Sequence, residues 1–242
     1  MRKIFAILFL LNTIMMAGQK QKILNLPNLD KTWLHFGFTV GTNIMDFSIV
    51  KADNFFNTTE FNQIYAIENN SDFGFHLGPV SNLRISDYFH LRLLVDLSFG
   101  QRNLTYWTVL DTTDINPVIS KHVMKISSTY IEFPLLLKYK AMRLNNFSPY
   151  LIGGFNPKID LAAQKKIKDE ELPKIRLQRL DLAYEIGTGI DFYLPYFRLS
   201  TELKYSVGLR NLMVPDGTQY SEAVQKLNSR IWMISFHFEG SL

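Results

Sequence analysis

YFHLRLLVDLSFGQR, residues 88–102, decides the fold. Its odd positions Phe89, Leu91, Leu93, Val95, Leu97 and Phe99 are all apolar, while its even positions include His90, Arg92, Asp96, Ser98, Gly100 and Arg102. Side chains of a β-strand point alternately to its two faces, so this stretch predicts a strand with one greasy and one polar face. Residues 197–209 read the same way, with Phe197, Leu199, Leu203, Tyr205, Val207 and Leu209 set against Arg198, Ser200, Glu202, Lys204 and Ser206. So do residues 181–192, where Leu182, Tyr184, Ile186, Ile190 and Phe192 oppose Asp181, Glu185, Gly187, Gly189 and Asp191. Weaker alternation marks 33–48, 73–85, 130–140, 150–158 and 229–238.

Eight strands of about ten residues with alternating faces predict an all-β protein: an eight-stranded antiparallel transmembrane β-barrel of the outer-membrane type. The connections support this. Ser86-Asp87, 141–148 and Leu194-Pro195 are short, whereas 51–72, 103–125, 159–180 and 210–228 each run to roughly twenty residues, longer than compact domains usually carry. Short turns belong to the periplasmic side and four long loops to the outside, which puts both termini in the periplasm. A soluble barrel also alternates, but with its greasy face inward. Here the polar face carries Arg92, Asp96, Glu132, Lys138, Lys140, Asp181, Glu185, Asp191, Arg198, Glu202 and Lys204, a set of mixed sign suited to a lumen charge network. Trp33, Tyr88, Phe89, Tyr139, Tyr150, Tyr196, Phe197 and Trp232 lie near strand ends, as an interfacial girdle requires. Pro79, Pro134 and Pro157 fall inside predicted strands, and each should mark a bulge or a strand end because it lacks an N–H.

The rest of the 242 residues agrees with export. Arg2 and Lys3 precede thirteen uncharged, mostly apolar residues (4–16), then Ala17-Gly18 and a polar run from Gln19, which predicts a signal peptide over 1–18. A periplasmic segment over 19–31 and a barrel domain over 32–242 would follow. The apolar run is shorter than the roughly 20 residues of a spanning helix. The chain has no cysteine, so disulfides, cysteine-ligated zinc and thiol nucleophiles are excluded. The formal charge of +4 falls by two when Arg2 and Lys3 leave with the leader, and the remaining charges are interspersed, so nucleic acid is not an expected partner.

Motifs for chemistry are sparse. The histidines are His35, His76, His90, His122 and His237, with no HExxH or closely spaced ligand set, so no metal is expected and no cofactor either. If the first and last strands adjoin, His35 and His237 come to the same rim on the polar face and could form a seam pair with Glu239, although separately hydrogen-bonded histidines are the blander alternative. Gly153-Gly154 and Gly187-Thr188-Gly189 match no phosphate loop and read as small residues where a tight interior needs room. The run Lys165, Lys166, Lys168, Asp169, Glu170 and Glu171 reads as a solvated loop. No GxSxG motif occurs. Ser98, His76 and Asp96 are polar-face candidates for acyl chemistry, but nothing in their spacing singles them out. A barrel of eight strands has an interior only wide enough to be filled by side chains, so a conduit for folded cargo is excluded for the monomer.

The stretches Asn25-Leu-Pro-Asn-Leu-Asp30, Leu34-His-Phe-Gly-Phe38, Gly41-Thr-Asn43 and Met45-Asp-Phe47 resemble the N-terminal part of the PorT family of the Bacteroidetes. Tyr130-Ile-Glu-Phe-Pro-Leu-Leu-Leu-Lys-Tyr139, Pro149-Tyr-Leu-Ile-Gly-Gly154, Gly187-Thr-Gly-Ile-Asp191 and Gly208-Leu-Arg-Asn-Leu212 resemble the wider outer-membrane barrel superfamily. The resemblance implies a non-enzymatic component or assembly factor of the type IX secretion machinery, which moves folded proteins across the outer membrane and serves gliding motility in some members. It implies other secretion-system proteins as partners beside outer-membrane lipid, and no small-molecule substrate. The family also accommodates a proline in the 130–139 strand. Asn25, Leu26, Pro27, Asn28, Leu29 and Asp30 precede the first strand without an evident barrel role and are the expected partner-binding segment, a disordered tether being the alternative. The rival functions are a generic structural or adhesin-like barrel and a lipid-modifying outer-membrane enzyme.

Overall fold

The computed structural model describes residues 23–52, 63–111, 118–163, 175–215 and 217–240; the expected signal peptide over 1–18, the tract 19–22 and the charged run at 164–171 fall outside them. Apart from a 3-10 turn at Leu29–Lys31 and the short helix α1 (Gln219–Glu222), its regular structure is antiparallel β. In chain order the strands are β1 (Leu34–Lys51), β2 (Gln63–Arg84), β3 (Phe89–Leu94), β4 (Asp96–Asp111), β5 (Val118–Glu132), β6 (Leu135–Lys140), β7 (Phe147–Asp160), β8 (Arg176–Leu177), β9 (Leu180–Tyr193), β10 (Arg198–Gly208), β11 (Met213–Val214) and β12 (Val224–Gly240). Ten of them form one sheet, while β8 and β11 pair as a separate ribbon. The first strand pairs with both its successor and the last: Phe38 stands opposite Pro79 of β2 and opposite Phe238 of β12.

The all-β, antiparallel expectation holds, and the predicted strands are all present, but two of them are interrupted. β3 and β4 are separated at Val95 and both pair with β2; β5 and β6 are separated at Phe133-Pro134 and both pair with β7. The three prolines explain the interruptions. Val95 donates to the Pro79 carbonyl, Leu94 to that of Pro134 and Phe133 to that of Pro157, so the prolines step diagonally across four neighbouring courses. Each removes one N–H from the ladder, and the breaks fall along that diagonal.

Three of the four long loops expected are in part strand. β2 begins at Gln63, β4 continues to Asp111, β5 begins at Val118 and β12 at Val224, so half of 51–72, most of 103–125 and part of 210–228 is strand. The sequence pattern hid these extensions because their outward residues, such as Glu68, Asn70, Asn103 and Lys125, are polar; only the bilayer-level stretch of a strand has a greasy outer face.

Burial settles which face looks inward. Phe89, Leu93, Val95 and Leu97 are exposed, and Leu151 and Phe155 keep 59% of their surface open, while Arg92, Lys138, Arg198 and Glu239 are wholly buried. This is the inverse of a water-soluble barrel: the apolar belt demands a non-aqueous surround and the charges must satisfy one another inside. At the end distal to the 3-10 turn, Phe47, Ile64, Leu104, Tyr106, Met124, Leu177, Met213 and Leu227 form an apolar cluster that caps the interior.

Small residues make room for large ones across the interior. A Cβ on Gly189 would strike the Tyr150 ring. Gly189→Val should therefore dislodge Tyr150 and destabilise the fold by about 1–3 kcal/mol, read as a lower urea midpoint for the lipid-reconstituted protein, because a packed core tolerates added volume poorly.

Candidate functional site

The inward face is a stack of ion pairs built from alternate residues of nearly every strand. In the layer nearest the 3-10 turn, Glu239 of β12 takes Arg92 Nη2 on Oε1 at 3.0 Å, and Arg198 Nη2 and Asn82 Nδ2 on Oε2. Arg92 Nη1 reaches Glu202 Oε2 at 2.8 Å, where the Tyr150 hydroxyl also donates at 2.8 Å. Beside this layer Lys138 Nζ sits 2.8 Å from both oxygens of Asp191 and 3.7 Å from the Tyr150 ring centroid, and Ser200 donates to Asp191 at 2.6 Å. Further along, Lys204 pairs with Glu185 at 2.8 Å and Lys158 with Glu132 at 3.4 Å, while Asn156 Nδ2 lies 2.6 Å from both carboxylates. Arg102 closes the series, 3.6 Å from Asp160 and stacked 4.1 Å over Phe47.

Of the residues expected in the lumen network, Arg92, Glu132, Lys138, Glu185, Asp191, Arg198, Glu202 and Lys204 are brought together in this way. Asp96 and Asp181 are buried on the same face but make no ion pair among the described residues: Asp181 Oδ1 accepts the Leu182 N–H, and Asp96 Oδ1 has no hydrogen-bond partner. Sequence reading missed Lys158, Asn156, Arg102 and Asp160 as members, and met Glu239 only through the seam. Lys158 and Asn156 share their parity with Tyr150 and Ile152, and those two apolar inward residues mask the alternation of β7. Tyr150 is the girdle residue the structure reassigns, since it is 3% exposed inside the barrel rather than at the interface.

The seam pair does not form. β1 and β12 adjoin as expected, but Thr39 is the residue opposite His237, which leaves His35 four positions, roughly 13 Å, further along. His237 Nε2 instead lies 3.6 Å from Glu202 Oε1, Glu239 is engaged by the two arginines, and neither ring nitrogen of His35 has a hydrogen-bond partner. The acyl-chemistry candidates Ser98 and His76 stand opposite each other in the β2–β4 register, but each is hydrogen-bonded elsewhere. Ser98 accepts from Asn43 at 2.9 Å, and His76 Nε2 contacts Ser235 Oγ at 2.9 Å, both inside the packed interior. No group of residues suited to a metal ion occurs among the described residues.

The segment 25–30 has a barrel role after all. The Asn25 N–H donates to Asn146 Oδ1 at 2.9 Å and its side-chain amide to the Tyr193 carbonyl at 3.0 Å; Arg143 Nη2 donates to the Asn25 carbonyl at 2.5 Å. Asp30 Oδ1 takes Lys140 Nζ and the Tyr193 hydroxyl, each at 2.6 Å, and Arg143 lies 3.3 Å from Oδ2. Leu29 is buried at the mouth, whereas Pro27 and Asn28 are exposed. Burial alone would push the Asp30 carboxyl up, but the Lys140 charge and the hydrogen bonds of Lys140, Tyr193 and Arg143 outweigh it and hold the group below its ordinary value.

Removing one partner of a buried, paired charge costs about 3–5 kcal/mol. Glu239→Gln should lower unfolding stability in vesicles by that amount, whereas Asp87→Asn, at the exposed Arg84 pair, should change it by less than about 1 kcal/mol. A depressed carboxyl stabilises above its unfolded pKa and loses that contribution as pH falls through its folded value. Asp30→Asn should therefore speed tryptic cleavage after Lys31 several-fold at neutral pH, while the wild-type segment should loosen, by amide hydrogen exchange, only below about pH 4.

Comparison with a family model agrees with this architecture. The outer membrane protein beta-barrel domain family matches residues 19–214. Among solved structures, the outer membrane protein OprG of Pseudomonas aeruginosa is 15% identical, with 85% of this chain and 96% of that one covered and a TM-score of 0.40. Neisserial surface protein A is 12% identical over 84% and 96%, with a TM-score of 0.41. Ail, the attachment invasion locus protein of Yersinia pestis, solved with the heparin analogue sucrose octasulfate, is 12% identical over 86% and 99%, with a TM-score of 0.37. No curated protein matches the chain by sequence. With the matched residues covering most of the chain, this protein belongs to the outer membrane protein beta-barrel domain family and resides in the outer membrane.

Proposed function

We propose that the ten strands form eight courses of a closed transmembrane barrel, β3 with β4 and β5 with β6 each serving as one course, and that the protein is a sealed, non-enzymatic docking component or assembly factor of the type IX secretion machinery. The observation that carries the sealed reading is the interior itself: Arg92, Lys138, Asp191, Arg198, Glu202 and Glu239 are buried in mutual ion pairs. A barrel packed in this way offers cargo no path, so it acts through its surfaces. The type IX assignment rests on the resemblance of 25–30, 34–38, 41–43 and 45–47 to the PorT family.

In this reading the short-turn rim and both termini face the periplasm, and partners meet the barrel there. Pro27 and Asn28 are the exposed part of the pinned N-terminal segment and give a fixed rather than a floppy docking element. The test is conditional depletion, with secreted cargo and unrelated outer-membrane barrels quantified in the same cells. Cargo should accumulate in the periplasm while the other barrels stay constant. Normal secretion with a loss of surface binding would replace this reading with an adhesin-like one.

A further inference from the structure

Where β9 begins and β10 ends, a groove of about 690 Å³ opens on the surface, lined by Ile159, Gln178, Arg179, Leu180, Arg210 and Val214. Its two arginines are exposed, and neither makes an ion pair among the described residues. Their backbones are nevertheless fixed: the Arg179 carbonyl accepts the Asp160 N–H at 2.7 Å, and the Arg210 carbonyl accepts Asn228 Nδ2 at 3.0 Å. Gln178 donates to the Leu212 carbonyl and Leu209 to that of Leu182, which stitches the two sides of the groove together. Two arginine backbones are thus fixed beside one groove, and among the described residues no carboxylate pairs with either guanidinium.

The walls of the groove continue into the apolar belt. Leu180 is 53% exposed, and Leu182, Tyr184 and Ile186 carry the same outward face down β9, as Leu209 and Leu203 do on β10. The groove therefore lies where the belt gives way to polar surface, the level of lipid headgroups. A guanidinium pairs with phosphate through two parallel hydrogen bonds and pays less dehydration than an ammonium. We infer that this groove binds the phosphate-bearing headgroup of an outer-leaflet lipid between Arg179 and Arg210, with an acyl chain laid along Leu180 and Leu182. The inference rests on the barrel reading and on the orientation that places this rim outside; it is independent of the secretion role.

Arg230 is the internal control. It is exposed on β12, two residues beyond the belt tryptophan Trp232, but it does not line the groove. The purified full-length protein, inserted in nanodiscs, is challenged with phosphatidylglycerol or phosphatidylcholine, and retained lipid is counted by native mass spectrometry. Insertion is read separately, from heat-modifiable migration. The wild type should retain phosphatidylglycerol over phosphatidylcholine by roughly 10- to 30-fold, the Arg179→Gln, Arg210→Gln variant should lose that preference, and Arg230→Gln should keep it. An inserted wild type without preference, or an equal loss in Arg230→Gln, overturns the site while leaving the barrel intact. Displacement of the lipid by inorganic phosphate at low concentration would assign the groove to free anions and overturn the lipid reading. A wild type that fails to insert would overturn the barrel reading, and the site with it.

Discussion

A strand that crosses a bilayer must find hydrogen-bond partners for both of its backbone edges inside the protein, because the hydrocarbon offers none. Here that requirement is met at the pairing of β1 with β12, which runs in continuous register from Phe36 opposite Gly240 to Val50 opposite Lys226. Everything else follows from bringing the first and last strands together. It turns one face of the sheet in upon itself and fixes the width of the interior, so that Arg92 of β3 can reach Glu202 of β10 and Glu239 of β12 at once.

An interior filled with side chains this large brings its charges into contact, and most of them are met by one another. The arrangement is layered, with each cation touching a carboxylate on a different strand and Tyr150, Asn156 and Ser200 taking up lone pairs that the cations leave. Ion pairs of this kind add little stability relative to an apolar filling, but they penalise any register that separates the partners. A one-residue slip would point the arginines at lipid and the leucines inward. The apolar cluster around Leu104 and Leu227 closes the far end, and Leu29 with the Asp30, Lys140 and Tyr193 contacts closes the near one.

The two ends therefore differ in kind. The near rim is held by short turns and by a polar latch from outside the strands. At the far rim β1, β2, β4 and β5 extend past the apolar belt, and the β8 and β11 ribbon folds over the apolar cap. The three prolines that disturb the ladder lie between these ends, and their carbonyls still accept, so the sheet absorbs them as breaks between β3 and β4 and between β5 and β6 without losing its order.

The alternation of 88–102, 181–192 and 197–209 determined the fold class, the strand polarity and most of the lumen charges, because period two is imposed by the backbone itself and is local. Three things were beyond it. Where strands run past the apolar belt no greasy face is needed, so the ends of β2, β4 and β5 beyond it look like loops in the sequence. Tyr150 faces inward because Gly189 on the neighbouring strand leaves space for its ring, a complementarity between residues far apart in the chain. The partners of Glu239, the separation of His35 from His237 and the docking of Asn25 and Asp30 on Asn146, Tyr193 and Lys140 were decided by tertiary structure, since register and curvature choose which buried charges meet. Sequence specified the faces; the geometry of the wrapped sheet assigned the pairs.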